Sequence, residues 1–580
     1  MLRAIKTIGE LKATAQIQLD DPREGGYTHA ISILLQQDDD NLVYRGVELE
    51  ELDGEKLALY LYKRGTSGGP NRTPMGKITE VKKTLERKIL NWFKKYSNDD
   101  PFLQSIGKVL EENKEKIQND VERCYEEIGR KRTTLLLKIN GKYIGEYDVF
   151  KAKFQEVEEG EFGRSSAEHI CSLCGRKTRV SGRALSEVFK FYTIDKPGFI
   201  SGGFKEELAW KNNPICKSCK RYLEVGKRFL EDFSTFRFCD HLRYVLIPKF
   251  ITGERKVIEE VLVMIEKGSH RIKVEGKKLA KLTEDERDIM ELLSKEKDIL
   301  TLDYLFLRQE QSAERILLLI QDILPSRLHS IFQAKRETDR KLDIDFNFSM
   351  VRRFFSQSDE LRRNYDLDEY FLEIIDSVFR GTPLSLSFLI HFFMLRIRRI
   401  SLNLGEGILE QANNDFSNAV RDAVATLIFL WGLSIINLGK EAEMESYFPQ
   451  IYGRYSDILR TPLKRGLFCL GALTSFLLRK QRVLRGSAPF WKILKTLRMD
   501  EKDFKSLLPR IMAKFEEYDS YLQPWEKNYH RALAEEVANQ LLLAGDKWAI
   551  SSAEANFYFA CGMALEPEIR NAYFSNRKEE

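Results

Sequence analysis

Apolar and polar residues alternate along several stretches near the N-terminus of the chain. The clearest stretch is TTLLLKINGKYIGEYDVF, residues 133–150, where the alternation continues on both sides of Asn140-Gly141. This pair accepts the positive φ angles of a type I′ turn, so the stretch predicts a β-hairpin. The stretches NLVYRGVEL and EKLALYLYKRG, residues 41–49 and 55–65, predict two further strands around a turn at Asp53-Gly54.

Helical periodicity fills the space between these stretches and most of the chain beyond residue 245. Apolar residues recur at spacings of three and four over 77–96 and 101–128, which predicts two helices. One strand is expected within 287–307, and 312–335 predicts an amphipathic helix that is interrupted at Pro325.

Two strongly apolar stretches, 384–397 and 422–438, follow in the middle of the chain. Both are shorter than the roughly 20 residues that span a bilayer, so they predict buried core helices. His391 lies in the first of them and is expected to be a core histidine. Proline and glycine breaks beyond residue 442 predict a separate helical bundle.

The composition is that of a soluble globular protein. The 580 residues are 43% apolar and 31% charged, with a net charge of only +5. The N-terminus lacks the apolar core of a signal peptide, and eight cysteines are too few for a disulfide scaffold. We therefore expect a cytoplasmic protein with reduced cysteines and no membrane partner.

Four of the cysteines form two C-x2-C pairs with 41 residues between them. They are Cys171, Cys174, Cys216 and Cys219. Two intervening residues allow both thiolates of a pair to bind one metal ion, and two pairs complete a tetrahedron, so the pattern predicts zinc. Four thiolates leave no open coordination position, which predicts a structural rather than a catalytic ion.

Two alternatives to this ligand set remain open. The four residues could be reduced structural cysteines in a site that has lost its metal. Cys239 or His241, in the sequence FCDHL, could also replace a ligand, although a core or surface role is the simpler expectation for both residues.

The predicted fold class is α+β and predominantly helical. A mixed α/β N-terminal domain with β-hairpins is followed by a four-cysteine zinc-binding segment and later by a C-terminal helical bundle. The predicted boundaries are an N-terminal domain at 1–165, a zinc-binding segment at 166–245, a mainly helical middle region at 246–441 and a bundle at 442–580.

Positive charge is concentrated in two parts of the chain. From Cys171 to Arg228 there are thirteen Lys or Arg and five Asp or Glu residues, and residues 458–499 contain ten basic residues and no acidic one. A solvated basic face explains such runs in many proteins, and cations also suit the C-terminal end of a helix dipole. The alternative is binding of a polyanion, DNA or RNA, through its phosphates. The loop 64–77, rich in Gly, Ser, Thr and Pro, is a further candidate for nucleic-acid contact.

No familiar catalytic motif occurs in the sequence. It contains no G-x-S-x-G, no H-E-x-x-H and no glycine-rich dinucleotide fingerprint. Asp343 and Asp345 could bind magnesium in a nuclease, but no third carboxylate is near them in the sequence. A non-enzymatic protein that binds nucleic acid fits best, and the alternatives are a nuclease with a structural zinc or a protein-only scaffold.

Several of these sequences occur together in one known family. CSLCG (171–175), FYTIDKPGFI (191–200) and NNPICKSCKRYLEVGKRFL (212–230) resemble the large subunit of type I-B CRISPR Cascade complexes. The hairpin TTLLLKINGKYIGEY and the ending WAISSAEANFYFACGMAL, residues 548–565, are also similar to that family. The resemblance covers most of the chain, although 246–440 adds little to it.

The resemblance implies a non-catalytic role in a ribonucleoprotein that uses CRISPR RNA (crRNA) as its guide for antiviral defence. Such a subunit helps recognise the protospacer-adjacent motif in duplex DNA and supports the R-loop, while guide pairing reads the sequence. The implied partners are crRNA, the target duplex and its displaced strand, the backbone and small subunits, and a helicase-nuclease recruited in trans. The bundle resembles the small subunit, which internal translation from Met444 could supply.

The basic residues receive roles within this scheme from their charge alone. The loop 64–77 is the first candidate for reading the adjacent motif. One group is expected to contact the backbone of single-stranded DNA, namely Lys464, Arg465, Arg479, Lys480, Arg482 and Arg485. A second group is expected to face DNA or the 5′ end of the guide, namely Arg176, Lys177, Arg179, Lys220 and Arg221.

Overall fold

The fold is taken from a computed structural model of the chain. It divides into an N-terminal unit, Leu2–Arg228, and a C-terminal unit, Phe229–Glu580, to which Met1 also belongs. The described residues are 1–13, 19–38, 41–65, 69–163, 166–193, 201, 203, 205–239, 242–251, 255–274, 300–310, 313–355, 367–404, 409–439 and 446–576.

A five-stranded mixed sheet forms the centre of the N-terminal unit. Its strands are β1 (His29–Asp38), β2 (Asn41–Glu51), β3 (Gly76–Lys77), β4 (Thr133–Ile139) and β5 (Lys142–Tyr143). The order is β2-β1-β4-β3, with β5 also paired to β4. β1 runs antiparallel to β2 but parallel to β4, so that His29 lies opposite Thr133.

The predicted hairpin at Asn140-Gly141 is confirmed. Both residues have positive φ, +49° and +75°, as a type I′ turn requires, and Ile139 pairs with Lys142 across it. The prediction of a strand over 55–65 is wrong. Asp53 instead accepts a hydrogen bond from the Glu55 N–H and so caps a short helical stretch rather than a hairpin turn.

Helices cover the apolar residues of this sheet. Ile33 and Leu137 lie in one buried cluster with Leu103, Ile106 and Ile117 of the covering helices. The helical segments of the unit are α1 (Leu2–Lys12), α2 (Leu57–Tyr60), α3 (Val81–Thr84), a π-helical stretch (Leu85–Leu90), α4 (Asn91–Tyr96), α5 (Pro101–Glu112), α6 (Lys114–Glu127), α7 (Asp148–Gly163), α8 (Ala184–Val188) and α9 (Lys217–Phe233).

A small antiparallel sheet carries the cysteine pairs. Its strands are β6 (Ser166–Ile170), β7 (Lys177–Ser181) and β8 (Ile215–Cys216), in the order β6-β7-β8. β8 leads directly into α9, so the second pair lies at the junction between a strand and a helix.

A four-stranded antiparallel sheet opens the C-terminal unit. Its strands are β9 (Thr235–Phe238), β10 (Leu242–Phe250), β11 (Leu300–Glu310) and β12 (Ala313–Ile323), in the order β12-β11-β10-β9. The predicted helix over 312–335 is wrong in its first half. Residues 313–323 pair with β11, and Pro325 begins a helix instead of interrupting one, because the first helical position needs no N–H donor.

Helices make up the rest of the C-terminal unit, which confirms the predominantly helical α+β class. Among the described helices, none is both long and apolar enough to cross a membrane. They are α10 (Arg255–Val274), α11 (Pro325–Leu342), α12 (Phe348–Arg352), α13 (Asp368–Arg380), α14 (Leu386–Leu404), α15 (Leu409–Gly432), α16 (Pro449–Arg454), α17 (Pro462–Arg485), α18 (Glu501–Glu517), α19 (Pro524–Ala544) and α20 (Ser552–Asn576).

The helices α17 and α20 cross at very short range in the bundle. A Cβ atom at Gly562 would overlap the carbonyl oxygen of Phe468, and one at Gly471 would overlap that of Phe559. Glycine at both positions therefore permits the contact between the two backbones.

Candidate metal centre and basic surfaces

The first cysteine pair sits on a tight turn between β6 and β7. Cys171 directly follows β6, and its N–H donates to the carbonyl oxygen of Arg176 at 3.0 Å. The Gly175 N–H donates to the Cys171 carbonyl oxygen at 2.9 Å, and Gly175 has a φ of +72°, which glycine adopts without steric cost. The turn holds the two thiols of this pair at one end of the β-ribbon.

The second pair is attached to the same sheet. Cys216 lies opposite Val180 in the β7–β8 ladder, and Cys219 lies in the first turn of α9. The Cys216 N–H donates to the Cys171 sulfur at 3.4 Å, and the Ser172 N–H donates to the Pro214 carbonyl oxygen at 2.8 Å. These contacts fix the two pairs against each other.

The four sulfur atoms form one cluster. All four lie within 4.8 Å of one another, and the Cys174 and Cys216 sulfurs are 3.8 Å apart. A regular tetrahedron with zinc–sulfur bonds of about 2.3 Å has sulfur–sulfur distances of about 3.8 Å. The cluster could therefore hold a metal ion, and its geometry and donor set are compatible with zinc. Among the described residues it is the only group of three or more His, Cys, Asp or Glu side chains that could hold one metal ion.

The thiols of this cluster ionise unequally without a metal. Burial opposes ionisation of Cys174, but the N–H and guanidinium of Arg176 donate hydrogen bonds to its sulfur and lower its pKa to about 6. Burial raises the pKa of Cys216 and of Cys219. The protein itself thus favours the Cys174 thiolate, whereas ionisation of Cys216 and Cys219 needs the charge of the metal.

The predicted basic residues of this region have different environments. Arg176, Lys177 and Arg179 are exposed on the turn and on β7. The Arg179 Nε donates to the Ser166 Oγ at 2.7 Å. Arg221 is half-buried. The three exposed side chains present positive charge beside the metal cluster.

Lys220 belongs to a buried ion network instead. Its ammonium group contacts the Glu187 carboxylate and lies 3.6 Å from that of Glu224. Arg72 joins the network through Glu158, at 2.6 Å, and lies 3.9 Å from Glu187. Burial alone would lower the pKa of Lys220, but the surrounding carboxylates raise it above its usual range. In this conformation neither Lys220 nor Arg72 is offered to a ligand.

The loop 64–77, the candidate reader of the adjacent motif, contributes Arg72 to that network. Arg72 is buried, and its carbonyl oxygen accepts a hydrogen bond from the Trp92 indole. Arg64 is the exposed cation of this loop, and the Lys77 ammonium stacks on the Tyr27 ring at 4.6 Å.

The first two basic residues of α17 are buried. The Lys464 ammonium donates to the Leu438 carbonyl oxygen at 3.0 Å and lies 3.6 Å from Glu554. The Arg465 Nε donates to the Leu459 carbonyl oxygen at 2.9 Å. Both cations serve as internal hydrogen-bond donors, so DNA contact through them would require a different conformation.

The remaining basic residues of α17 lie nearer its C-terminal end. Arg479 and Lys480 form ion pairs with Glu566 and Glu526, each at 2.7 Å. Arg482 is half-buried, and burial lowers its pKa. Arg485 is exposed, and its guanidinium lies 5.0 Å from the centre of the Tyr518 ring.

The other sequence candidates are placed as follows. Asp345 forms an ion pair with Lys335 at 3.0 Å, whereas Asp343 ends α11 with a φ of +56° and borders a cavity of about 510 Å³. His391 is exposed, so its assignment to the core is wrong. His241 and Met444 lie outside the described residues.

Comparison with protein families matches most of the chain to one family. Three domain models of the CRISPR-associated protein TM1802 family match the chain. The N-terminal domain matches residues 1–156, the central domain 168–323 and the C-terminal domain 346–577. The chain therefore belongs to the CRISPR-associated TM1802 family. This family membership confirms the resemblance to the large subunit of type I-B Cascade. A search of curated proteins found no match.

Proposed function

We propose that this chain is the non-catalytic large subunit of a crRNA-guided type I-B Cascade complex. In this role it helps recognise the protospacer-adjacent motif in duplex DNA and stabilises the R-loop. The observation that carries the proposal is the match of three family domains, in chain order, from residue 1 to residue 577. The complex would act in the cytoplasm and recruit its helicase-nuclease in trans.

The metal cluster has a structural part in this proposal. Zinc bound by four thiolates joins β6, β7 and the start of α9, and it contributes on the order of 10 kcal/mol to local folding. Arg176, Lys177 and Arg179 are exposed beside it. These three cations are suited to contact the phosphates of DNA or of the guide.

Purification of the tagged chain from its own host tests the proposal. We expect a backbone protein in several copies, a small subunit, and short RNAs that share one repeat-derived end. A chain that is recovered alone and without RNA would contradict the role in Cascade.

The absence of catalysis is part of the proposal and needs its own test. The Asp345 carboxylate is engaged by Lys335, which also binds Asp339 at 2.6 Å, so the predicted acidic pair is not poised for a metal ion. We expect no cleavage of single- or double-stranded DNA by the purified chain with Mg²⁺ or Mn²⁺. Cleavage that is lost on Asp343→Asn would support the nuclease alternative.

A further inference from the structure

Three consecutive residues before α18 adopt a left-handed backbone. Lys495, Thr496 and Leu497 have φ values of +48°, +53° and +58°. L-residues enter this region as single residues and not usually in succession, and a β-branched residue such as Thr496 is especially unfavourable there. Each such residue costs on the order of 1–3 kcal/mol, and this kind of strain is concentrated at ligand-binding and functional sites.

The surroundings hold this left-handed turn in place. The Leu497 carbonyl oxygen accepts a hydrogen bond from the Arg398 Nε at 2.9 Å. The Asn556 side chain accepts from the Met499 N–H at 3.2 Å and donates to the Met499 carbonyl oxygen at 2.7 Å. Leu497 is fully buried. The conformation is therefore imposed by contacts from α14 and α20.

The consequence of the turn is a small cavity surrounded by cations. Lys492, Lys495 and Arg510 line a cavity of about 150 Å³ between the turn and α18. All three are exposed. The acidic side chain in the lining is Asp503, which holds the Lys495 ammonium at 2.6 and 2.7 Å. The lining therefore keeps two positive charges in excess.

Two of these cations differ from Arg479 and Lys480 of α17. Within the described part of the chain, Lys492 and Arg510 form no ion pair, whereas Arg479 and Lys480 are each paired with a carboxylate. An unpaired cation can neutralise an external anion without breaking an internal contact. The cavity beside the left-handed turn thus brings two cations without an ion pair to one place.

We infer that this cavity binds a phosphate group in the backbone of single-stranded DNA. Its size suits one phosphate, the surplus charge exceeds the single negative charge of a phosphodiester, and the fixed turn orders Lys495 before the ligand arrives. This inference rests on the proposed function, in which the chain stabilises the R-loop and so meets the displaced single strand. The cations of the cavity, Lys492, Lys495 and Arg510, are not among the α17 residues that the sequence assigns to single-stranded DNA.

Binding of a fluorescein-labelled oligothymidine to the purified full-length chain tests the inference. The variant Lys492→Gln/Arg510→Gln removes the two unpaired cations of the cavity. The matched control Lys502→Gln/Lys547→Gln removes two exposed cations of the same bundle that do not line it. Dissociation constants are measured over a series of salt concentrations, and thermal unfolding checks that both variants fold.

We expect the cavity variant to bind about tenfold more weakly at low salt, the size of effect that loss of a charge-assisted phosphate contact produces. The slope of log affinity against log salt should become shallower by about 0.7, the value for one phosphate on a single strand. The control should keep the wild-type slope. Equal losses in both variants, or no loss in the cavity variant, would overturn the inference.

Thr496→Gly tests the role of the strained turn. Glycine adopts positive φ freely, so we expect a higher thermal midpoint together with weaker binding, because the turn is then less firmly ordered without ligand. A higher thermal midpoint with unchanged binding would show that the left-handed turn does not contribute to phosphate binding. Oligothymidine binding through the cavity, combined with a failed host purification, would refute the Cascade role and leave the phosphate site in place.

Discussion

Arg479 of α17 forms a bidentate ion pair with Glu566 of α20. The two guanidinium nitrogens lie 2.7 and 3.2 Å from the two carboxylate oxygens, and the Glu566 side chain is only 2% exposed. This arginine belongs to the basic segment that the sequence assigns to DNA, yet its charge is used inside the bundle. Removing it would leave a buried carboxylate without its partner.

Arg479→Ala should therefore lower the stability of the protein. A buried charge left unpaired costs about 3 kcal/mol or more, which urea unfolding followed by circular dichroism would detect. Arg485→Ala is the matched control, because Arg485 is exposed at the end of the same helix, and it should change the free energy of unfolding by less than about 1 kcal/mol. A fully stable Arg479→Ala variant with weakened DNA binding would instead favour a direct contact.

Gly562→Ala should also destabilise the bundle. Alanine is the better helix former by about 1 kcal/mol, but its Cβ would overlap the Phe468 carbonyl oxygen, so we expect a net loss of about 3 kcal/mol. Gly160→Ala in α7 is the control, because a Cβ there meets no atom within 4 Å. That variant should gain stability, and a gain at Gly562 as well would show that the helices can separate at no cost.

Metal analysis of the purified chain should find one zinc ion per molecule. Cys216→Ser should abolish zinc binding and expose the segment 166–228 to proteases, because the ion links β8 and α9 to the first cysteine turn. Cys124→Ser should retain the zinc, since Cys124 is a buried thiol outside the cluster. A natively folded wild-type chain without zinc would contradict the metal assignment.

Asp422 predicts a pH dependence of stability. Burial raises the pKa of its carboxyl group to about 6, against the opposing charges of Arg353 and Arg396. The folded state then binds a proton more tightly than the unfolded state, so the cost of the buried charge is present above pH 6 and is relieved as the pH falls. Between pH 7 and pH 5, wild type should gain about 1.3 kcal/mol relative to Asp422→Asn. A constant difference in unfolding free energy would refute this.

Loss of the charge at Lys220 should lower stability, whereas loss of the charge at Lys177 should weaken nucleic-acid binding. Lys220→Met removes the buried cation that contacts Glu187 and lies 3.6 Å from Glu224, and it should cost about 3 kcal/mol of stability. Lys177→Gln removes an exposed charge and should leave stability unchanged while it weakens nucleic-acid binding. The reverse pattern, measured by thermal unfolding and by DNA titration, would place the ligand at Lys220.

The sequence was informative wherever one local signal determined the structure. Asn140-Gly141 specified a hairpin through its φ angles, and the spacing of the two C-x2-C pairs anticipated that their sulfurs converge. The family motif FYFACGMAL also has a physical basis, because Gly562 within it permits the close crossing of α17 and α20.

Features that depend on distant partners could not be predicted. The apolar run in 313–323 fits a helix as well as a strand, and only pairing with β11 decides between them. The ion pair between Lys220 and Glu187 could not be predicted from the charge of Lys220, since the two residues come together only in the fold. The left-handed turn at Thr496 contains no glycine that would indicate positive φ in the sequence. Contacts from other helices impose this conformation.

The parallel pairing of β1 with β4 has a consequence for synthesis on the ribosome. His29 pairs with Thr133. The backbone groups on one edge of the apolar strand β1 therefore stay unpaired while about a hundred further residues are made. At usual elongation rates this takes about 5–20 s, and an unpaired strand edge is prone to aggregate in that interval. The β1 edge of the nascent N-terminal unit is therefore exposed until the residues of β4 have been made.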